Sequence, residues 1–175
     1  MNVRKQLLFE HTKENTNLIV AHIGDNQKSF NGLMKLFLAD EYRVTQRAAW
    51  VVGDLARIYP VLIAPYYKKL VLNLRKPLLH DAVKRNTLKI LQELEIPEPL
   101  WGEAADICFN FLLSKVDPIA IKVFSMTVLF NISKNVPEFR DELAIIIEDQ
   151  MPYGSAGFKS RGKKTLKGLS KLRAH

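Results

Sequence analysis

The chain has 175 residues, 47% of them apolar and 25% charged, with eight Gly, eight Pro and one Cys. That length suits one domain with a real core, and the composition excludes a disulfide framework, a thiolate-rich zinc site, a turn-rich β-protein and a disordered chain. The net charge of +8 is unevenly spread: residues 156–175 hold seven basic side chains and no acidic one, which leaves residues 1–155 nearly balanced at 19 against 18.

Residues 1–25 read as an N-terminal helical extension. Its start is basic but lacks a long apolar run, so no signal peptide is expected. Leu18, Ile19, Ala21, His22 and Ile23 close it, and Gly24-Asp25-Asn26 is a stop signal. A short amphipathic helix follows, with Phe30, Leu33, Met34, Phe37 and Leu38 at the i, i+3, i+4, i+7, i+8 positions of one face. Asp40 is placed to cap the next helix.

That next helix contains Val44, Ala48, Val51, Val52 and Leu55 in a pattern that returns three times. Val83, Thr87, Ile90, Leu91 and Leu94 repeat it, then Ile121, Ser125, Val128, Leu129 and Ile132, then Phe158, Gly162, Thr165, Leu166 and Leu169. The anchors Leu55, Leu94, Ile132 and Leu169 are 39, 38 and 37 residues apart. One register position is always small: Ala48, Thr87, Ser125 or Gly162. A small side chain there lets a neighbouring helix approach. Asp81, Asp117 and Ser155 are expected caps like Asp40, and Pro118 fits the first helical position.

Between these helices lie others with their own apolar faces. Leu62, Ile63, Tyr66, Tyr67, Leu70, Val71 and Leu74 form one, with Pro65 near its start or at a kink. Leu100, Trp101, Ala104, Ile107, Cys108, Phe111 and Leu112 form another, and Phe139, Leu143, Ile146 and Ile147 a third. Cys108 therefore reads as a buried structural thiol. The most apolar segment, residues 118–132, contains Lys122 and falls short of the ~20 residues of a membrane span. No membrane partner and a cytoplasmic location follow as expectations.

A helix–turn–helix unit recurring at this period belongs to the HEAT and armadillo class. The segment Gln46-Arg47-Ala48-Ala49-Trp50-Val51-Val52-Gly53-Asp54-Leu55 resembles the second helix of a bacterial HEAT-like repeat. Residues Phe158 to Leu166 resemble a terminal repeat of the same kind, and the likeness runs from about residue 26 onward. It implies an all-α, right-handed α-solenoid of about four helix pairs, with repeats near 26–59, 60–96, 97–136 and 137–175. Stacking is what closes each pair's apolar faces. HEAT-like proteins include scaffolds, adaptors, lyase-related subunits and some DNA glycosylases.

No phosphate loop, hydrolase triad or HExxH is present, and His11, His22, His80 and His175 lack ligand spacing, so neither a metal nor a cofactor is expected. Met151-Pro152-Tyr153-Gly154-Ser155 reads as an inter-repeat loop. The expected function is a non-enzymatic scaffold that binds a protein or peptide on a concave second-helix surface, through Arg47, Trp50, Asp54, Lys84, Arg85 and Lys122. Lys84, Lys122 and Lys159 share one register position and form a candidate basic stripe. The last helix adds Lys159, Arg161, Lys163, Lys164 and Lys167, as a polar end cap or a contact surface. The alternative is a nucleic-acid binder. Its least expected form is an alkylpurine DNA glycosylase, a group resembled by the Trp50–Asp54 pair at i, i+4.

Overall fold

The computed structural model describes residues 1–39 and 41–174. Asp40, expected to cap the helix after it, and His175 lie outside the described residues. The N-terminal extension is two helices, α1 (Val3–Phe9) and α2 (Lys13–Ile23). Asn2 caps α1 by accepting from the Lys5 amide at 3.0 Å, and Thr12 caps α2 by accepting from the Asn15 amide at 3.1 Å. Each cap satisfies a donor that a helix start leaves open. Gly24 ends α2 at φ +53°, where a side chain would be strained. Buried Asn15 locks the two helices together. Its Nδ2 donates to the Gln6 carbonyl at 2.9 Å and to the Glu10 carbonyl at 2.8 Å. The intervening turn is thereby fixed, and with it His11 and Lys13.

Helix α3 (Gln27–Ala39) buries Phe30, Leu33, Met34 and Phe37 completely, as its periodicity predicts. Helix α4 (Tyr42–Ile58) buries Val44, Ala48, Val51, Val52 and Leu55. The following first-type helix is broken into α5 (Pro60–Ile63), a tight turn over Ala64–Tyr66, and α6 (Tyr67–Asn73). Pro65 sits in that turn. It has no amide hydrogen to donate and its ring crowds the preceding turn, so the expected kink falls there. Then come α7 (Asp81–Leu91), α8 (Trp101–Leu113), α9 (Ile119–Ser133), α10 (Phe139–Gln150) and α11 (Ala156–Arg173).

Three local expectations need correction. Helix α7 stops at Leu91, short of the anchor Leu94. Gln92 still donates to Leu88 at 2.9 Å, but Glu93 and Leu94 tighten onto Ile90 and Leu91, and the chain turns before Pro97. Leu94 packs against the core from this turn. The cap of α7 is His80, whose Nδ1 accepts from the Ala82 amide at 3.1 Å. Asp81 is the first helical residue, where its charge still suits the helix dipole. Before α9, Pro118 occupies the cap position and Asp117 is turned toward Lys84. Ser155 caps α11 as expected, accepting from the Phe158 amide at 3.3 Å.

The helices stack in two layers. In one, α4 packs on α7, α7 on α9, and α9 on α11; in the other, α6 packs on α8 and α8 on α10. Contacts of α3 with α4, α8 with α9, and α10 with α11 join the layers. No strand occurs among the described residues. This is an α-solenoid with one continuous core. The small register positions explain the close stacking. Ala48, Thr87 and Ser125 are wholly buried, and a Cβ on Gly162 would come within 2.8 Å of Met151 Sδ and 3.1 Å of Ile147 Cγ2. Helices α1 and α2 both pack on α4, which sets their connecting turn beside the outer face of that helix.

Candidate functional site

Charge is sorted by layer. Helices α4, α7, α9 and α11 carry fourteen Lys or Arg and two Asp or Glu. The rest of the chain carries twelve and sixteen. The basic excess therefore belongs to the whole second-helix layer, with α11 as its densest part. Averaging along the sequence hides this, because the acidic helices α8 and α10 are interleaved with the second-layer helices α7, α9 and α11.

The outer face of α4 presents Arg47, Trp50, Asp54 and Arg57, which lie on one side of the helix by the 3.6-residue repeat. Beside it, α7 presents Lys89, the turn after α7 supplies Glu93, and Lys13 stands at the start of α2. Of these residues all but Arg47 line a groove of about 250 Å³, together with Ala49, Gly53 and Ile90. Gly53 has open space where a Cβ would point, so it leaves the groove open. Trp50 is 39% exposed. The His11 ring lies 4.4 Å from the indole at a 58° tilt, and Lys89 Nζ stands 5.6 Å from the same ring. Burial first, and then the positive charge of Arg47, hold the His11 imidazole below its ordinary pKa.

Asp54 has both carboxylate oxygens engaged. Lys13 Nζ donates to one at 2.6 Å and Arg57 Nη2 to the other at 2.5 Å. Arg47 Nη1 donates to the Leu7 carbonyl at 2.7 Å, which pins α1 to the same face. The contribution of His11 and Lys13 was invisible in the sequence. They lie about forty residues from their partners and belong to no repeat.

The other expected site residues occupy different places. Lys84 sits over the Phe111 ring and forms ion pairs with Asp117 at 2.8 Å and Asp81 at 3.3 Å. Burial opposes the charge of Lys84, but the two carboxylates outweigh it and raise its pKa. Lys122 Nζ donates to Gln150 Oε1 at 3.3 Å, and its pKa is lowered by burial. These lysines thus reach from one repeat to the next at the edge where first helices turn into second helices. They are not beside Trp50. Arg85 is half-buried next to Asn86. Arg161 bridges the layer, donating to Thr127 of α9 and to Gln92 at the end of α7. Lys163, Lys164 and Lys167 are exposed on α11, while Lys159 is half-buried.

A further periodic feature went unread in the sequence. Leu78, Val116 and Tyr153 each lie sixteen residues before an anchor, in successive first-to-second helix turns, at 90% exposure or more. Leu78 also has a positive φ of 60°. Regular spacing of apolar residues outside any helical face was the available signal. No group of His, Cys, Asp and Glu among the described residues is arranged to hold a metal ion. No helix among them is long and apolar enough to cross a membrane.

Paired helices stacked in two layers, with a small residue at each close approach, define a helical-repeat scaffold. The family model described as the HEAT repeat domain matches residues 3–169, and the chain belongs to that family. No curated protein and no solved structure matches it.

Proposed function

We propose that this chain is a non-enzymatic scaffold that holds an acidic segment of a protein partner across its second-helix layer, taken here as the concave side, with the Trp50 groove as the anchor. The observation that carries this reading is the partly exposed indole of Trp50 between α4 and α7, ringed by Lys13, Arg57 and Lys89. Binding energy at protein interfaces concentrates at tryptophan and arginine in such depressions, while surrounding charges set specificity and approach rate. The basic excess of the layer favours an acidic partner. The engagement of both Asp54 oxygens by cations argues against that carboxylate as the electrostatic centre of a glycosylase, since its charge is already compensated.

The test is a displayed peptide library selected on the wild-type protein and counter-selected on Trp50→Ala. The reading expects enrichment of acidic segments with an apolar or aromatic residue, and at least tenfold weaker binding of those segments to Trp50→Ala. Enrichment that ignores Trp50, or the absence of any acidic enrichment, contradicts it.

A further inference from the structure

The exposed face of α11 differs in kind from the Trp50 groove. Lys163, Lys164, Lys167 and Lys171 are all exposed, and none has an ion-pair partner among the described residues. The helix contains no acidic residue. The same side also carries the half-buried Lys159, four residues before Lys163, and the exposed Ser160 and Ser170. Phe158, Leu166 and Leu169 pack against the core, and the half-buried Leu172 lies nine residues from Lys163, on the opposite side of α11. Within α11 itself Arg173 is paired with Asp141, and elsewhere Lys13, Arg57, Arg75 and Lys84 each meet a carboxylate. Exposed lysines without a carboxylate partner occur elsewhere too, but α11 gathers four of them within nine residues on one side of a single helix.

We infer that this face of α11 contacts the phosphate backbone of duplex nucleic acid, without reading its sequence. Four considerations fix the partner class. A bilayer surface requires apolar side chains on the binding face of an interfacial helix, and here Phe158, Leu166, Leu169 and Leu172 all lie off the lysine face by the helical repeat. Sequence-independent single-strand binding requires aromatic platforms, and none is exposed on α11. An acidic peptide held with useful affinity requires a buried aromatic or arginine anchor, and this face offers only lysine. Lysine ammonium groups are strongly hydrated point charges that suit non-directional contact with phosphates. From Lys163 to Lys171 the helix rises about 12 Å. Duplex DNA carries one negative charge per ~1.7 Å of its axis, so phosphates are available to all four lysines at once. This surface is distinct from the Trp50 groove, and the inference does not depend on the protein-binding reading.

The experiment measures anisotropy of a labelled duplex of arbitrary sequence with the full chain, from 50 to 200 mM salt. Four phosphate contacts at about 0.9 ions each give a log–log slope near −3.6 and a loss of about 150-fold in affinity across that range. Replacing all four lysines by glutamine should abolish the salt-dependent binding. Glutamine keeps helix propensity near that of lysine, and an unchanged circular dichroism spectrum verifies the fold. Lys163→Gln with Lys167→Gln alone should reduce the slope by about 2. Trp50→Ala should bind duplex as the wild type does, even where it fails to bind peptide. The inference is overturned by no duplex binding at 50 mM salt, by binding that survives the fourfold substitution, or by tighter binding to polyglutamate or to anionic phosphatidylserine vesicles than to duplex.

Discussion

Thr87 occupies the small register position of α7, is wholly buried, and has a hydroxyl with no hydrogen-bond partner among the described residues. Two substitutions separate volume from polarity there. Thr87→Val keeps the branched shape and replaces the hydroxyl by a methyl. An unpaired buried hydroxyl costs about 1–3 kcal/mol, so removing it should stabilise the protein by about 1–2 kcal/mol. For a chain of this size that raises the melting midpoint by about 3–6 °C. Thr87→Leu adds volume where α4, α7 and α9 are already in contact, and overpacking should cost about 1–3 kcal/mol. Urea unfolding followed by helical circular dichroism reads both, and an unchanged slope confirms that stability alone has moved. If Thr87→Val is neutral or destabilising and Thr87→Leu is no worse, the position is neither tight nor unsatisfied. The small-residue account of helix stacking then fails.

Asp117→Ala should cost about 1.5–3 kcal/mol, because it leaves the mostly buried Lys84 without its closest carboxylate. Burial opposes ionisation of Asp117, but hydrogen bonds from Lys84 and Ser114 win and hold its pKa below the ordinary value. Its contribution is therefore present above the unfolded carboxyl pKa and lost as pH falls through the lower folded value. The wild-type and Asp117→Ala denaturation curves should converge at acid pH. His11 behaves similarly in sign: its folded pKa is depressed, so stability declines as pH falls below about 6.5, when the unfolded chain gains the proton first. His11→Gln should flatten that part of the pH–stability profile, and an identical profile would remove the His11–Trp50 contact from the account. Burial pushes the Cys108 thiol up to about 12, which leaves roughly 1 in 10,000 molecules as thiolate at pH 8. A thiol reagent should react only at the rate of opening of the core, and rapid labelling of native protein would show that α8 is not packed as described.

The solenoid was legible because its cause is local and repeated. Every second helix needs the same apolar stripe and the same small position, so Leu55, Ile132 and Leu169 announce themselves at regular spacing. Leu94 marked the right spacing but not the helix end, since Glu93 and Leu94 tighten onto Ile90 and Leu91 instead of continuing the helix. Caps were harder. Asp117 precedes a proline as a cap would, but its attraction to Lys84, thirty-three residues away, decided its orientation. The Trp50 groove was half legible: Trp50, Asp54 and Arg47 stood out, yet His11 and Lys13 meet them only because Asn15 locks α1 against α2. The sorting of charge between layers needed the layers themselves.

The most direct test of the central reading is amide and indole chemical-shift mapping of the isotope-labelled chain, titrated with an acidic peptide selected on it. The account predicts that the largest changes fall on the Trp50 indole N–H, Gly53, Arg57 and Lys89, on the outer faces of α4 and α7. Changes confined to the first-helix layer, or to α11, with the Trp50 indole signal unmoved at saturation, would contradict it.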